Sequence, residues 1–345
     1  MEPWQFIQKQ SLPYSAKIRY AEFKAIQFYD DMLGDVFCSV GGLDSITLLT
    51  FLRKVVSPKI PGVSISVLED KSIQEVHKGF DNFVFLKPLK SKVQVLRDHG
   101  YPVLSKDKAG KIQLLQNPTE KNTTVRNAIM TGDTGKLGGY KTTATGSRMR
   151  LPQKWLNLFA GPENEKHGTN YQTAPFRVSP DCCYWMKEKP ADLYAKESKR
   201  HPYMALMASE GGQRRFALVK HGCNYYGKTV TRSCPFAIFS RQDLLQLALD
   251  LKVPVPRIYG TIERKPDGTL YTTRAQRTGC SMCGFGIHIE KRPHRFDRLR
   301  EDNEKEWRFW MYEMGWGRVL DYIGIGWEDE PPLCPEQEEL FVTHT

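Results

Sequence analysis

The sequence predicts an α/β protein built on a parallel, Rossmann-like sheet with helices on both faces and a C-terminal extension. Three observations predict it. Apolar blocks alternate with helix-period segments, the order that βα units require. The block "DVFCSV" is a nearly continuous apolar run, as a parallel strand covered on both faces should be. Between that strand and the helix-period segment "ITLLTFLRKVV" lie Gly41 and Gly42, where backbone N–H groups at a strand-to-helix turn can converge on an anion.

The elements follow in order. "AKIRYAEFKAIQFYDDMLG" places Ile18, Phe23, Ile26, Tyr29 and Leu33 mostly along one helical face and stops at Gly34. "GVSISVLE" and "NFVFLK" read as the second and third strands, and "KVQVLRDHG" as a short helix ending at Gly100. Residues 117–173 are rich in Gly, Thr, Asn and charge, the composition of a long loop or a partly ordered insertion. "PYMALMA" gives a further buried strand, and Ser240 with Asp243 forms a capping box for the helix "RQDLLQLALDLK", which ends before Pro254. The Asp-Gly of "RKPDGTLYTT" marks a tight hairpin. The division expected is a nucleotide-binding domain over 1–265, carrying the insertion, and an extension over 266–345 with the Cys-x-x-Cys and the aromatic and basic residues.

Composition narrows the classes of function. No apolar run reaches the roughly 18 residues of a membrane helix, and the N-terminus has neither the apolar block nor the cleavage site of an export signal. A cytoplasmic location with no membrane partner is expected. There, eight cysteines are expected as thiols or metal ligands instead of disulfides. The formal net charge of +11 favours an anionic partner, nucleic acid included, although a generally basic surface has the same signature.

The glycine loop carries the first candidate site. Gly41 and Gly42 admit an anion close to the backbone, Ser39 ends the preceding strand, and Ser45 falls in the first helical turn with its hydroxyl and N–H toward the same place. That arrangement suits a pyrophosphate. Asp44 beside phosphate needs neutralisation, so it either holds Mg²⁺ or braces the loop. A plain strand-to-helix turn would look the same in isolation.

Two cysteine pairs carry the second. "PDCCYWMKEKP" contributes Cys182 and Cys183, and "RTGCSMCGFG" contributes Cys280 and Cys283. Four thiolates in two local pairs suit a [4Fe–4S] cluster, with Zn²⁺ as the metal alternative and an unmetallated set of thiols as the third. Lys187, Lys189, Lys291 and Arg292 lie near these cysteines in sequence and could offset an anionic cluster. Cys38, Cys223, Cys234 and Cys334 read as ordinary thiols.

Taken in order, "VGGLDS", "HGYPVLSK", "CCYWMKEKP", "MALMASEGGQRR", "HGCNYYGK" and "RTGCSMCGFGIHIEKRPHRF" resemble the phosphoadenosine phosphosulfate reductase family of the PP-loop ATP pyrophosphatase superfamily, from about Asp35 to the neighbourhood of Tyr322. The resemblance implies a sheet of adenine nucleotide α-hydrolase type with the loop after its first strand. It implies phosphate contacts at Gly41, Gly42, Asp44 and Ser45, and an iron–sulfur cluster on Cys182, Cys183, Cys280 and Cys283, the arrangement of assimilatory adenylylsulfate reductases and their relatives.

This sequence departs from the family in three places. Val40 stands where a Ser is usual, removing a hydroxyl worth roughly 1.5–3 kcal/mol if its bond to phosphate is charge-assisted. Gly211 and Gly212 replace a Ser-Arg pair, so Arg214 or Arg215 would have to supply the missing cation. The reductases' nucleophilic cysteine near the C-terminus, in a Cys-Gly motif, has no counterpart, and Cys334 has acidic neighbours that disfavour its thiolate. Three readings follow: ATP-dependent adenylyl transfer with pyrophosphate release in thiolation, with Asp44 and Ser45 as the catalytic candidates; reduction of adenylylsulfate or its 3′-phosphorylated form; and a nucleotide-sensing or nucleic-acid-binding partner without turnover. The first implies Mg²⁺ with ATP and a sulfur-donor protein. His288 reads as a packed histidine before a cluster-tuning one, and Phe296 as a buried aromatic before a base-stacking one.

Overall fold

The alternation of short apolar blocks with helices produces a six-stranded sheet, seen in a computed structural model that describes residues 3–67, 69–134, 148–161, 171–228 and 230–328. The strands are β1 (Val36–Ser39), β2 (Gly62–Ile65), β3 (Phe83–Leu86), β4 (His201–Tyr203), β5 (Asn224–Tyr226) and β6 (Thr231–Ser233), in the order β3-β2-β1-β4-β6-β5. Every neighbouring pair is parallel except β5 with β6, an antiparallel edge. The chain leaves β1 toward β2 and β3, then returns on the other side through β4. That reversal makes the carboxyl end of β1 a topological switch point, where open α/β sheets hold their ligands.

Compactness divides the chain otherwise than a cut at 265. One unit comprises Met1–Ser91 and Cys183–Cys280, the other Lys92–Cys182 and Ser281–Thr345. The sheet lies wholly in the first. Its core gathers Val36, Cys38, Leu48, Leu49 and Leu52 with Phe236, Phe239 and Leu244, all essentially inaccessible. The hairpin is present as β7 (Ile262–Arg264) and β8 (Leu270–Thr272), turning through Gly268. The capping box is also present: Ser240 and Asp243 each bond the other's backbone N–H at the start of the helix Arg241–Asp250. "PYMALMA" pairs in the sheet only through its first residue pair, since β4 stops at Tyr203.

The helix Tyr14–Asp31 forms as expected but buries a different face. Phe23 is 60% exposed and Leu33 91%, whereas Lys17, Ala21, Ala25 and Phe28 are buried. The reason is electrostatic: the Lys17 ammonium bonds the Asp243 carboxylate at 2.8 Å, and this pair lets a cation occupy the inward stripe.

The second unit is helical. Its core is formed by Leu104, Ile112, Leu156, Phe159, Phe296, Trp307 and Trp316. Trp316 meets the ring edges of Tyr101 and Phe296 at 5.2 and 5.5 Å, and the Tyr101 hydroxyl donates to the Met314 carbonyl at 2.6 Å. The C-terminal aromatics therefore supply a core. The segment expected to be loop-rich contains the helices Thr123–Thr131 and Gln153–Phe159; residues 135–147 and 162–170 of it lie outside the described residues. Among the described residues no helix is long and apolar enough to cross a membrane.

Candidate functional site

At the switch point, β1 ends on Ser39 and the helix Leu43–Val55 begins, with Gly42 as its N-cap. A glycine N-cap has no side chain to bond the first-turn N–H groups. Other residues do so. The Tyr259 hydroxyl accepts from the Leu43 N–H at 3.1 Å, and Ser45 Oγ accepts from the Gly41 N–H at 2.7 Å while donating to the Gly42 carbonyl at 2.9 Å. Ser45 thus shapes the loop. At Gly41 an added Cβ would meet only Ser45 Oγ, at 3.9 Å, so packing does not demand a glycine and the backbone face is open to an anion.

The loop is held from behind by His77, whose Nε2 lies 2.8 Å from the Gly41 carbonyl and whose ring stacks on Phe83. Burial pushes the imidazole below its ordinary pKa, against the opposing effects of the Gly41 carbonyl and Glu69. The neutral ring donates from Nε2, which leaves Nδ1 an acceptor with no partner among the described residues. Val40 is a core side chain, 5% exposed, and its N–H continues the ladder to Val63 at 2.8 Å. Burial therefore explains the apolar residue there: the position serves the sheet.

Asp44 pairs with Arg241, which begins the helix Arg241–Asp250 and also donates to the Gln276 carbonyl at 3.0 Å. Burial lifts the Asp44 carboxyl above its ordinary pKa, Arg241 pulls it down, Glu210 adds to the rise and Arg277 opposes it. The Asp44 carboxylate is therefore tied to the start of a second helix. Arg214 bonds Glu210 at 2.5 Å and Arg215 is exposed. Gly211 and Gly212 have φ of +75° and +57°, left-handed values that favour glycine at this helix start. Arg241, Tyr259 and His77 escaped sequence reading. The only local signal was a helix start without a side-chain cap.

The motif cysteines divide between the units: Cys183 and Cys280 in the first, Cys182 and Cys283 in the second. In the first unit both thiols act electrostatically on Lys187, which bonds Glu69 at 2.8 Å; burial would lower this ammonium's pKa, but Cys280, Glu69 and Cys183 together raise it. A π-helical turn, Tyr184–Glu188, follows Cys183 directly and sets where Lys187 falls. In the second unit the Lys92 ammonium, 3% exposed, donates to Cys182 Sγ at 3.2 Å and lies 6.0 Å from the Trp316 ring centre. The Lys92 ammonium is thus set directly against the Cys182 sulfur. Arg295 bonds the Cys283 carbonyl at 3.0 Å and interacts with its thiol.

Each motif cysteine therefore has a cation beside it, a fit in charge to a bound anionic cluster. Among the described residues, however, no group of three or more His, Cys, Asp or Glu side chains is assembled that could hold a metal ion. Of the four cations expected, Lys187 is within electrostatic reach of Cys280 and Cys183; Lys189 is half-buried, Arg292 pairs with Asp297 at 2.8 Å, and Lys291 is exposed. Lys92 was unforeseen because it lies 90 residues from Cys182, and Arg295, though inside the quoted block, lies 12 residues past Cys283.

The remaining cysteines behave as expected where described. Burial pushes the Cys38, Cys223 and Cys234 thiols up, to about 11 for Cys223. Cys334 lies outside the described residues. His288 packs edge to face with Trp155 at 5.7 Å and faces Lys108 at 3.4 Å, and Phe296 is fully buried.

No family model matches the chain, and no curated protein matches it. Among solved structures it is similar to phosphoadenylyl-sulfate reductase from Candida auris in a phosphate complex, with 9% identity and a TM-score of 0.33 over 78% of this chain and 90% of that one. It is also similar to the U34-tRNA thiolase NcsA from Methanococcus maripaludis with its [4Fe-4S] cluster, with 12% identity and a TM-score of 0.32 over 93% and 83%.

Proposed function

We propose that the chain binds an adenine nucleotide by its pyrophosphate at Gly41–Ser45 and catalyses adenylyl transfer in a thiolation reaction, with Cys182, Cys183, Cys280 and Cys283 holding a [4Fe–4S] cluster. One observation carries the nucleotide part: a helix at the switch point starts on a glycine, beside an open glycine backbone, with its neighbouring carboxylate already neutralised by Arg241. Phosphate oxygens replace the Ser45 and Tyr259 oxygens at the Gly41 and Leu43 N–H groups. An acceptor oxygen then bonds the α-phosphorus as the bond to the bridging oxygen breaks, its proton passes to solvent, and magnesium pyrophosphate leaves. A sulfur nucleophile supplied by a donor displaces AMP from the adenylated carbon. Asp44 keeps Arg241 at the loop as a cation for the leaving group, and Ser45 holds the loop's shape. The cluster, when bound, would supply a site for sulfur or electrons.

The alternatives are separable. Sulfonucleotide reduction is disfavoured by the pairing of Arg214 with Glu210 and by the lack of a Cys-Gly motif around Cys334 in the sequence. A partner that senses nucleotide without turnover is favoured by the occupied loop donors. The deciding experiment incubates anaerobically purified protein and mixed RNA as the acceptor with ATP, adenylylsulfate or its 3′-phosphorylated form. The expected products are pyrophosphate with ATP and no sulfite with the other two. ATP should stabilise the fold by about 2.7 kcal/mol at a hundredfold excess over Kd, and the double change Asp44→Ala with Ser45→Ala should remove that gain. Sulfite with a thiol donor would replace this reading with the reductase, and stabilisation without any product would replace it with the sensor.

A further inference from the structure

We propose that Tyr259 occupies the place of an incoming phosphate oxygen, and that its displacement by a pyrophosphate is transmitted through Thr278 to Cys280. The inference rests on the nucleotide reading above and deepens it by coupling the loop to one thiol of the same unit.

Gly42 supplies the first argument. Its φ of −80° is open to any residue, so backbone conformation does not require glycine there. What requires it is contact: a Cβ at Gly42 would lie 2.2 Å from the Tyr259 hydroxyl and 3.0 Å from Thr278 Oγ1. The phenol therefore sits directly against the loop, accepting from the Leu43 N–H at 3.1 Å. A phosphate oxygen competes for that donor, and a charged acceptor makes the stronger bond.

The second argument is where the phenol leads. Its oxygen lies 2.6 Å from Thr278 Oγ1, two residues before Cys280. The backbone around Tyr259 is anchored to the same segment: Thr273 N–H donates to Thr261, Arg274 N–H to Tyr259 and Ala275 N–H to Ile258, at 2.9 to 3.1 Å. The Ile258 N–H is fixed in turn by Ser72 Oγ at 3.1 Å. With the main chain held, the side chain is the part free to exchange partners. Displacement of the phenol from Leu43 pulls on or releases Thr278, and the short stretch Thr278–Gly279 conveys it to Cys280. At Gly279, its chain neighbours aside, no atom of the described residues lies within 4 Å of where a Cβ would be, so packing around Gly279 leaves space for a shift there.

The test uses the full-length protein, cluster-free and reduced, with pyrophosphate as the probe. Calorimetry gives its affinity, and iodoacetamide labelling read by peptide mass spectrometry gives the alkylation rate of Cys280. In the parent protein pyrophosphate should change that rate at least about twofold. Tyr259→Phe frees the Leu43 N–H, so pyrophosphate should bind about 2- to 10-fold more tightly, the range of one net hydrogen bond. Its Cys280 rate should already match the ligand-bound parent and no longer respond. Thr278→Val should keep pyrophosphate binding and lose the response at Cys280. If Tyr259→Phe binds pyrophosphate no more tightly than a parent that does bind it, or if Cys280 still responds in Thr278→Val, the coupling is overturned while the nucleotide reading stands. If neither parent nor Tyr259→Phe binds pyrophosphate, both fall together.

Discussion

Two helix starts in the sheet-bearing unit are joined by one ion pair, Asp44 with Arg241, yet they are finished in opposite ways. The helix Arg241–Asp250 is closed by its own neighbours: Ser240 and Asp243 exchange bonds over three residues. The helix Leu43–Val55 has a bare glycine at its cap and receives its hydroxyl from Tyr259, 216 residues away. A local cap stabilises a helix permanently. A remote and displaceable one leaves the helix dipole available to an anion. The difference separates a structural terminus from a candidate binding terminus within a single unit.

The largest expected effect tests the structural side. Asp243 accepts from Ser240 Oγ and the Ser240 N–H at 2.7 Å and from the buried Lys17 ammonium at 2.8 Å. Asp243→Ala removes the cap and strands a buried cation, a loss of about 3–5 kcal/mol. Urea unfolding should show it with and without nucleotide alike. A loss under about 1 kcal/mol would mean that the closed terminus is no firmer than the open one.

What could be read from the sequence follows the same divide. The Ser240–Asp243 box, the Asp-Gly hairpin and β1 were legible because each is specified by residues within a few positions of one another. The buried face of Tyr14–Asp31 was not, since Lys17 enters it only through a carboxylate 226 residues on. The site divides likewise. Gly41, Gly42, Asp44 and Ser45 do meet at one turn, as their spacing implies. The partners that give them chemistry, Arg241, His77 and Tyr259, come from three other elements, and no periodicity reports a contact across such distances. Lys92 beside Cys182 is the same case, 90 residues apart.

The two loop glycines sharpen the comparison on a smaller scale. Gly42→Ala drives a Cβ into the Tyr259 hydroxyl, an overpacking cost of about 1–3 kcal/mol. Gly41→Ala meets only Ser45 Oγ at ordinary contact distance, so stability should be unchanged while its methyl obstructs the anion's approach. Thermal melts with and without ATP should therefore find Gly42→Ala destabilised, and Gly41→Ala as stable as the parent but with less gain from nucleotide. Equal destabilisation by both would show that the loop is closed on both glycines and offers no open face.

The smallest expected effect is a pH dependence confined to the open terminus. Burial holds the His77 pKa below its ordinary 6.5, so the unfolded chain takes up a proton there that the folded protein resists. The resulting stability is present above about pH 6.5 and declines as pH falls below it. Asp44 acts with the opposite sign: its carboxyl is held above the ordinary value, so the folded protein takes up that proton first and gains stability as pH falls. Comparing His77→Gln with the parent isolates the histidine, because Asp44 is common to both. Melting temperatures taken between pH 7.5 and 5.5 should fall less steeply for His77→Gln. Parallel profiles would show that the Gly41 carbonyl keeps its hydrogen bond to a charged ring, and that the loop's support does not depend on a neutral one.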